Sequence, residues 1–193
     1  MDAPAPGSAP QAAATLATAL LLRAAGGDTA AFTQLVRLLE RPALALAIRT
    51  LMERTAAEDV CQQAFTRLWT HAPRFDAARG SAEAWFRRIL INLCLDRRRA
   101  LRPVQSIDAA AEIADTGPDP EAAAIRADSQ ARLEAVMARL NPRQRLALAL
   151  FHGEGQSMAE IAAQMETTAK AVEGLLGRAR NELRTLMTES QPT

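Results

Sequence analysis

The sequence predicts an all-α fold made of two small helical domains that an acidic, flexible linker joins. Hydrophobic residues make up 49% of the 193 residues, aromatic residues only 4%, and Tyr is absent. The Ala and Leu that dominate favour helices over strands. Apolar residues recur at helical spacing over 15–102 and again over 126–188. Residues 103–125 break this pattern with "DTGPDP" and carry five acids and no base. Residues 1–14, rich in Pro and Ala, are expected to be a disordered tail.

Two helices are expected to open the first domain. The first runs from about Thr15 to the glycine pair Gly26–Gly27, and Asp28 caps the second. Pro42 is expected to kink or divide that second helix. Its apolar positions are Phe32, Leu35, Val36, Leu39, Leu44, Ile48 and Leu51.

Two further helices complete this domain. Thr55 and Glu58 have the spacing of a capping box and are expected to begin the third helix. Its buried stripe consists of Val60, Cys61, Ala64, Phe65, Leu68 and Trp69. The segment "PRFDAARGS" is a loop by its Pro and Gly, and Ser81 is expected to cap the fourth helix.

The fourth helix, "AEAWFRRILINLCLDRRRAL", combines a buried face with a cluster of cations. Its apolar positions are Trp85, Phe86, Ile89, Leu90, Leu93 and Cys94, and its cations are Arg87, Arg88, Arg97, Arg98, Arg99 and Arg102. Residues 23–102 carry 14 Arg against 8 acids, a net charge of +6. This cluster favours a polyanionic partner, either nucleic acid or an acidic protein. Asn92 interrupts the apolar part, so its amide either bonds within the core or faces a pocket for a base edge.

Capping signals divide the second domain into four helices. Asn141 and Pro142 have the order of an N-cap and a first helical residue, and that helix ends at Gly153. Ser157 and Glu160 form a second capping box, and Thr167 or Thr168 caps the last helix. The last two helices lie about three residues apart, which is typical of a helix-turn-helix, although a generic helical hairpin is the alternative. The inward positions are Ile161, Ala162, Met165, Val172, Leu175, Leu176, Ala179, Leu183 and Leu186.

The opposite face of the last helix carries the candidate base-reading side chains. It presents Lys170, Glu173, Gly174, Gly177, Arg178, Asn181 and Arg184. Arg and Asn match the edges of guanine and adenine in the major groove, and Lys or Arg contacts phosphate. Glycine inside a helix costs about 1 kcal/mol relative to alanine. Two glycines on one face therefore indicate a close approach to the backbone, or else drift at tolerant positions.

Catalytic and metal-binding chemistry finds little support. The two histidines, His71 and His152, are far apart, and no Cys/His cluster has the spacing of metal ligands. The segment "HGEGQS" is expected to be a turn that ends a helix, since no G-x-S-x-G accompanies it. Cys61 and Cys94 are expected to be buried free thiols rather than a disulfide or redox pair. No signal peptide or membrane span is expected, which favours a cytoplasmic protein without membrane insertion. We expect no catalytic residue, metal, cofactor or small-molecule substrate.

The whole arrangement resembles bacterial sigma factors of the extracytoplasmic-function (group four) type, over nearly everything from about Leu16 to Met187. "GDTAAFTQLV" is similar to region 2.1, "AEDVCQQAFTRLWTHAPRFD" to region 2.2, and "WFRRILINLCLDRRR" to regions 2.3 and 2.4. "RLNPRQRLALALFHGEGQSMAEIAAQM" with "AVEGLLGRARNELR" is similar to region 4. The resemblance implies a region 2-like helical bundle, a region 4-like helix-turn-helix domain, and a specificity subunit of RNA polymerase rather than an enzyme.

The resemblance also implies partners and site residues. Core RNA polymerase would bind Glu58, Asp59, Gln62 and Gln63 on the third helix. The Arg74–Ala84 loop with Asn92 would capture an unstacked base of the downstream (minus ten) promoter element, because binding in a pocket next to a cationic helix offsets the cost of unstacking. The downstream DNA set is Arg74, Arg79, Arg87, Arg88, Asn92, Arg97, Arg98 and Arg99. The upstream (minus 35) set is Thr168, Lys170, Glu173, Gly174, Gly177, Arg178 and Asn181.

Further expectations come from the family. The acidic linker would thread the cleft and RNA exit path of the polymerase, and an anti-sigma factor would hold the protein inactive. Many relatives carry a basic residue at the positions of Glu173 and Leu175, so the upstream element would be read differently here, with Glu173 accepting from a cytosine amino group. The alternatives are a helix-turn-helix regulator that acts without polymerase and a helical protein-binding adaptor.

Overall fold

The computed structural model of the chain describes residues 8–100, 131 and 133–189, and the side chains of 14–97, 131 and 133–187. Every regular element in these ranges is a helix, which confirms the predicted all-α fold. No helix in the described part is long and apolar enough to cross a membrane. The predicted linker 103–125, Arg102 and residues 1–7 of the predicted tail lie outside the described residues, and the domain limits stay predictions.

The chain divides into two compact units, Met1–Ala47 with Thr55–Arg97 and Ile48–Arg54 with Arg98–Thr193. Four long helices run through the first part of the chain. They are α1 (Ser8–Ala25), α2 (Thr29–Leu51), α3 (Arg54–His71) and α4 (Ala82–Ala100).

The starts of these helices differ in part from the sequence expectations. α1 begins at Ser8 rather than near Thr15, because the intervening Ala-rich segment has a high helix propensity. α2 runs through Pro42 without being divided. α3 begins at Arg54, so Thr55 lies within the first turn of the helix rather than before it.

Asp28 caps α2 as predicted. Its Oδ1 accepts from the Ala31 N–H at 2.9 Å and its Oδ2 from Arg23 Nη2 at 2.7 Å. The hydrogen bond from Ala31, followed by that from Arg23, lowers the pKa of this carboxyl. Gly27, in the turn before it, has φ +92°, a conformation in which a side chain would be strained.

The core of the first unit joins all four helices. Leu21 of α1, Leu35 of α2, Leu68 of α3 and Leu90 of α4 are fully buried, and the rings of Phe65 and Phe86 stack at 4.6 Å. Trp69, predicted to be buried, is 36% exposed. It lies at the edge of this core with its ring 4.8 Å from that of Phe32.

The two cysteines are buried free thiols, as predicted. Burial raises the pKa of Cys61 to about 11 and that of Cys94 to about 12. Both thiols therefore stay protonated at neutral pH.

The described residues of the second part of the chain, 131 and 133–189, form four helices and one π-helical segment. These are α5 (133–139), α6 (Pro142–Leu148), the π segment (Ala149–Gly153), α7 (Met158–Gln164) and α8 (Ala169–Glu189). α6 and α7 both pack against α8. Leu146, Leu150, Ile161 and Leu176 are fully buried among them.

Hydrogen bonds confirm the predicted caps of α6 and α7. Asn141 Oδ1 accepts from the Arg143 N–H at 2.9 Å, while Gln144 accepts from the Asn141 N–H at 2.8 Å. At α7, Ser157 Oγ accepts from the Glu160 N–H at 3.3 Å, and Glu160 accepts from the Ser157 N–H at 2.8 Å. "HGEGQS" ends the π segment and forms the turn before α7.

Glu166 ends α7 in a conformation that glycine adopts more readily. Its φ is +50°, and the next N–H, that of Thr167, donates to the Ala162 carbonyl at 2.9 Å. This 6→1 bond is the Schellman pattern, whose left-handed position is usually Gly. The turn between α7 and α8 is therefore closed at the cost of strain at one non-glycine residue.

We expect Glu166→Gly to raise the free energy of unfolding by roughly 0.5–1 kcal/mol, because the relief of left-handed strain exceeds the entropy that glycine adds to the unfolded chain. Urea unfolding monitored by circular dichroism measures this change. Ala163→Gly, three residues earlier in the helical part of α7, is the matched control and should lower stability by about 1 kcal/mol. A loss of stability in both variants would contradict the prediction.

The capping box of α7 predicts a pH dependence. The hydrogen bond from the Ser157 hydroxyl, followed by that from the Ser157 N–H, lowers the pKa of Glu160 from its ordinary value near 4.5. The stability that ionised Glu160 contributes is therefore fully present above pH 4.5 and is lost as pH falls through the folded-state pKa. Urea midpoints of the wild type and Glu160→Gln should differ most at neutral pH and converge in acid.

The control for this pH dependence is the same substitution in a Ser157→Ala background. There the effect of Glu160→Gln on the urea midpoint should shrink at neutral pH, because the hydroxyl that makes the principal hydrogen bond is missing. A midpoint difference that stayed constant between roughly pH 7 and roughly pH 3, a range in which an ordinary Glu side chain changes from ionised to protonated, would argue against the assignment.

Candidate nucleic-acid interface

α7 and α8 form a helix-turn-helix whose inner face is fixed by packing. Val172, Leu176 and Ala179 of α8 are buried, and so are Ile161 and Ala162 of α7. The small Ala162 side chain leaves room for α8 to lie close to α7. Burial of these positions leaves the other side of α8 to the solvent.

The structure brings the predicted upstream set together on that exposed side of α8. Thr168, Lys170, Glu173, Arg178 and Asn181 are exposed, and Gly174 and Gly177 between them are half-buried. Thr168 also caps α8, since its Oγ1 accepts from the Ala171 N–H at 3.2 Å. That these side chains bind DNA stays a prediction.

The two glycines have different surroundings. A Cβ at Gly174 would lie 3.3 Å from Nη1 of Arg178, whereas a Cβ at Gly177 would meet nothing within 4 Å. The close approach predicted from the sequence therefore occurs at Gly174, and the group that approaches is the guanidinium of the same helix. At Gly177 the space is open.

Arg180 serves a different face of α8 from Arg178. Its guanidinium carbon lies 5.9 Å above the ring of Phe151 in the π segment. This cation–π contact joins α8 to the segment before α7. Of the pair Arg178 and Arg180, only Arg178 is thus placed with the upstream set.

The arginines of α4 differ in how far they are neutralised. Arg88 is exposed. Arg87 pairs with Glu83 one turn earlier at 3.2 Å, and Arg97 pairs with Asp59 of α3 at 3.1 Å. Arg98 and Arg99 lie in α4, but their side chains are outside the described residues. The Arg cluster is therefore partly neutralised within the first unit.

Asn92 lies half-buried on α4. Within the part of the chain that the structure describes, its side chain makes no hydrogen bond with another protein group. A partly buried amide without a protein partner retains its donors and acceptor for another molecule. Both interpretations drawn from the sequence, a hydrogen bond within the core and a pocket for a base edge, stay predictions.

The segment between α3 and α4 is ordered by local bonds. It forms two short 3₁₀ turns, Ala72–Arg74 and Ala77–Arg79, which leave Arg74 and Arg79 exposed. Asp76 Oδ1 accepts from the Ala78 N–H at 2.9 Å. The ring of Phe75 contacts that of Trp85 on α4, with 5.4 Å between centroids. Two of the predicted DNA-binding arginines thus stand on a fixed loop beside α4.

Thr18 of α1 holds the start of α4. Its Oγ1 accepts from the Ala82 N–H at 3.1 Å, while Ser81 Oγ accepts from the Ala84 N–H at 3.2 Å. The second bond confirms Ser81 as the cap of α4. Both bonds satisfy N–H groups that the first turn of a helix leaves unpaired.

The residues predicted to bind polymerase lie along α3. Glu58, Gln62 and Gln63 are exposed, and Asp59 is half-buried beside Arg97. The Asp59–Arg97 ion pair thereby links the predicted polymerase set to the predicted downstream DNA set. No sequence pattern indicated this pair, because the two residues are 38 positions apart and meet only once α3 packs against α4.

Among the described residues, no group of three or more His, Cys, Asp and Glu side chains could hold a metal ion.

Family matches and relatives agree with this arrangement. Residues 35–103 match sigma-70 region 2, and residues 130–183 match sigma-70 region 4. The RNA polymerase sigma factor CnrH of Cupriavidus metallidurans is 33% identical over 178 residues, which are 87% of this chain and 92% of CnrH. The ECF RNA polymerase sigma factor SigK of Mycobacterium tuberculosis is 26% identical over 171 residues, 87% of this chain and 90% of SigK.

A longer relative and a solved structure are also similar to this chain. A probable RNA polymerase sigma factor of Xanthomonas campestris, RfaY, is 29% identical over 169 residues, but this chain spans only 42% of its length. The solved structure of CnrH in complex with the cytosolic domain of CnrY is 30% identical, with a TM-score of 0.64 over 91% of this chain and 99% of CnrH. The chain belongs to the sigma-70 family of RNA polymerase sigma factors, in its extracytoplasmic-function (ECF) group.

Proposed function

We propose that the chain binds core RNA polymerase and directs it to a small set of promoters. The observation that carries this proposal is the succession, in one chain, of a region 2 match with exposed arginines and a region 4 match with an exposed helix face. The protein is not catalytic alone; it supplies promoter specificity and melting to the polymerase. It acts in the cytoplasm.

The first domain is proposed to hold the melted downstream element. Arg74 and Arg79 are exposed on the ordered loop before α4, and Arg88 presents an exposed cation on α4 itself. Guanidinium groups neutralise phosphates, while the half-buried amide of Asn92 can pair with the edge of a base that has left the stack. Arg87 and Arg97 would exchange their carboxylate partners for phosphates, and Arg98 and Arg99 complete the set.

The second domain is proposed to read the upstream element through α8. Arg178 and Asn181 carry the donor and acceptor patterns that suit guanine and adenine, and Lys170 suits phosphate. Exposed Glu173 is suited to accept from a cytosine amino group. Thr168, Gly174 and Gly177 complete this face.

Polymerase is proposed to bind the exposed side of α3 at Glu58, Asp59, Gln62 and Gln63. The linker 103–125, with five acids and no base, would follow the cationic path that polymerase builds for nucleic acid. Both proposals rest on the family and on charge.

An anti-sigma factor is proposed to keep the protein inactive until a signal arrives. The support is the complex of CnrH with the cytosolic domain of CnrY. Affinity capture from the native cells, followed by addition of the captured protein to a transcription assay, tests this. Captured protein that leaves transcription unchanged would count against it.

In vitro transcription with core polymerase tests the proposal as a whole. Core polymerase plus this chain should initiate at specific promoters of a genomic template, whereas core alone should not. A regulator that acts without polymerase, or a protein-binding adaptor, would give no promoter-dependent initiation above core alone.

For the downstream site, we expect Asn92→Ala to impair open-complex formation more than closed-complex binding. The loss should be about 1–2 kcal/mol, the contribution of one or two hydrogen bonds in a partly buried site. Permanganate footprinting reports the open complex and gel shift at low temperature the closed one. Gln34→Ala, which removes an exposed amide from α2, is the control. Equal losses at both steps would refute the base-pocket role.

For the upstream site, we expect Arg178→Ala to weaken holoenzyme binding to duplex promoter DNA by ~1–3 kcal/mol if the guanidinium contacts guanine, and to relax preference at one position. Arg143→Ala, at an exposed arginine of α6, is the matched control and should leave that preference intact. Unchanged affinity and unchanged preference in Arg178→Ala would refute the assignment.

A further inference from the structure

Arg178 lies folded back along α8 against Gly174. The Cβ that Gly174 lacks would stand 3.3 Å from Nη1 of Arg178 and 3.8 Å from both Cζ and Nη2. Helical side chains point toward the helix N-terminus, so residue i+4 naturally covers residue i. Here the absence of a side chain at position i lets the guanidinium lie close to the backbone.

Gly174 makes α8 less stable than an alanine would, and the local backbone does not require a glycine. Glycine in the interior of a helix is about 1 kcal/mol less favourable than alanine. The φ of Gly174 is not positive, so its backbone conformation would suit any residue. An alanine Cβ would lie closer to Nη1 than nine in ten Cβ contacts in proteins do. A larger side chain would occupy the place of the guanidinium.

The charge of Arg178 is not neutralised by any of the residues that the structure describes. Among the described residues Arg178 forms no ion pair, and the acid one turn later, Glu182, accepts instead from Gln144 Nε2 at 3.2 Å. An exposed guanidinium with its donors unmatched is suited to bind the edge of guanine in bidentate fashion. Such binding depends on the direction of the guanidinium plane.

We infer that Gly174 is a positioning residue for Arg178 and thereby determines which base the upstream half of the protein prefers. Gly174 sets the path of the Arg178 side chain along the helix, so that the guanidinium is presented in one orientation and less rotamer freedom is lost on binding. This inference rests on the proposed function of α8. It assigns different roles to the two glycines, since a Cβ at Gly177 would have no neighbour within 4 Å and Gly177 therefore has no side chain to position.

The test uses holoenzyme formed from core polymerase and the full chain, with a library of random-sequence duplexes as the probe. Sequencing of the bound duplexes gives base preferences for the wild type, Gly174→Ala, Gly174→Leu, Arg178→Ala and the double variant Gly174→Leu/Arg178→Ala. Leu and Ala are better helix formers than Gly, so the variants should fold, and far-UV circular dichroism checks this.

We expect Gly174→Leu and Arg178→Ala to lose preference at the same base position, with affinity for the wild-type sequence reduced at least about fivefold. Gly174→Ala should show a smaller change in the same direction. The double variant should match Arg178→Ala, because Gly174 acts through Arg178.

Three results would overturn the inference. Gly174→Leu could leave base preferences unchanged, alter a different position from Arg178→Ala, or retain its own effect when Arg178 is absent. The last result would mean that leucine obstructs DNA directly. A wild-type holoenzyme that selected no upstream sequence would instead reject the proposed function of α8, and with it this inference.

Discussion

Burial of one face of α8 is the constraint on which the upstream site depends. Val172, Leu176 and Ala179 are withdrawn from solvent against α6 and α7, and this fixes the rotation of the helix about its axis. Each of these apolar side chains favours that rotation by an amount on the order of 1 kcal/mol or more. The turn of about 100° per residue then places the polar residues of the other face on the solvent side.

Features that depend on residues close together in the chain could be predicted from the sequence. Helical periodicity and caps such as Asn141 and Ser157 depend on residues within one turn, so the helices, the helix-turn-helix and the exposed face of α8 could be predicted. Helical periodicity wrongly predicted that Trp69 is buried. This residue lies at the boundary of the core, where the apolar stripe of α3 reaches the solvent. Periodicity also placed the beginning of α1 too late, because Ala-rich segments extend a helix without contributing a buried stripe.

Features that depend on tertiary contacts could not be predicted. The Asp59–Arg97 pair exists because α3 and α4 pack side by side, and no local pattern encodes that register. Glu166 has a left-handed conformation at a position where glycine usually marks the end of a helix. Without that glycine, the turn between α7 and α8 could be predicted only from the capping residues of the two helices. The contact between Gly174 and Arg178 joins residues one turn apart, but the presence of a glycine does not predict which group lies where its side chain would be.

Ion pairs inside the first unit reduce the number of counterions that the Arg cluster of α4 releases when it binds DNA. Arg87 and Arg97 already have carboxylate partners, both partly exposed. The Arg97–Asp59 pair is the more exposed of the two, and exposed pairs contribute about 0–1 kcal/mol, so phosphate can replace that carboxylate at small cost. The number of counterions released on binding DNA is then smaller than the number of arginines, because a displaced carboxylate attracts a cation of its own.

The buried thiols give the molecule a practical property. With pKa values of about 11 and 12, Cys61 and Cys94 hold far less thiolate at neutral pH than an exposed cysteine, whose pKa is near 8.5. A single cysteine introduced on the surface should therefore react with maleimide dyes more than about two orders of magnitude faster than Cys61 and more than about three orders faster than Cys94, on thiolate content alone. The chain can be labelled for fluorescence distance measurements on polymerase without first removing its own cysteines.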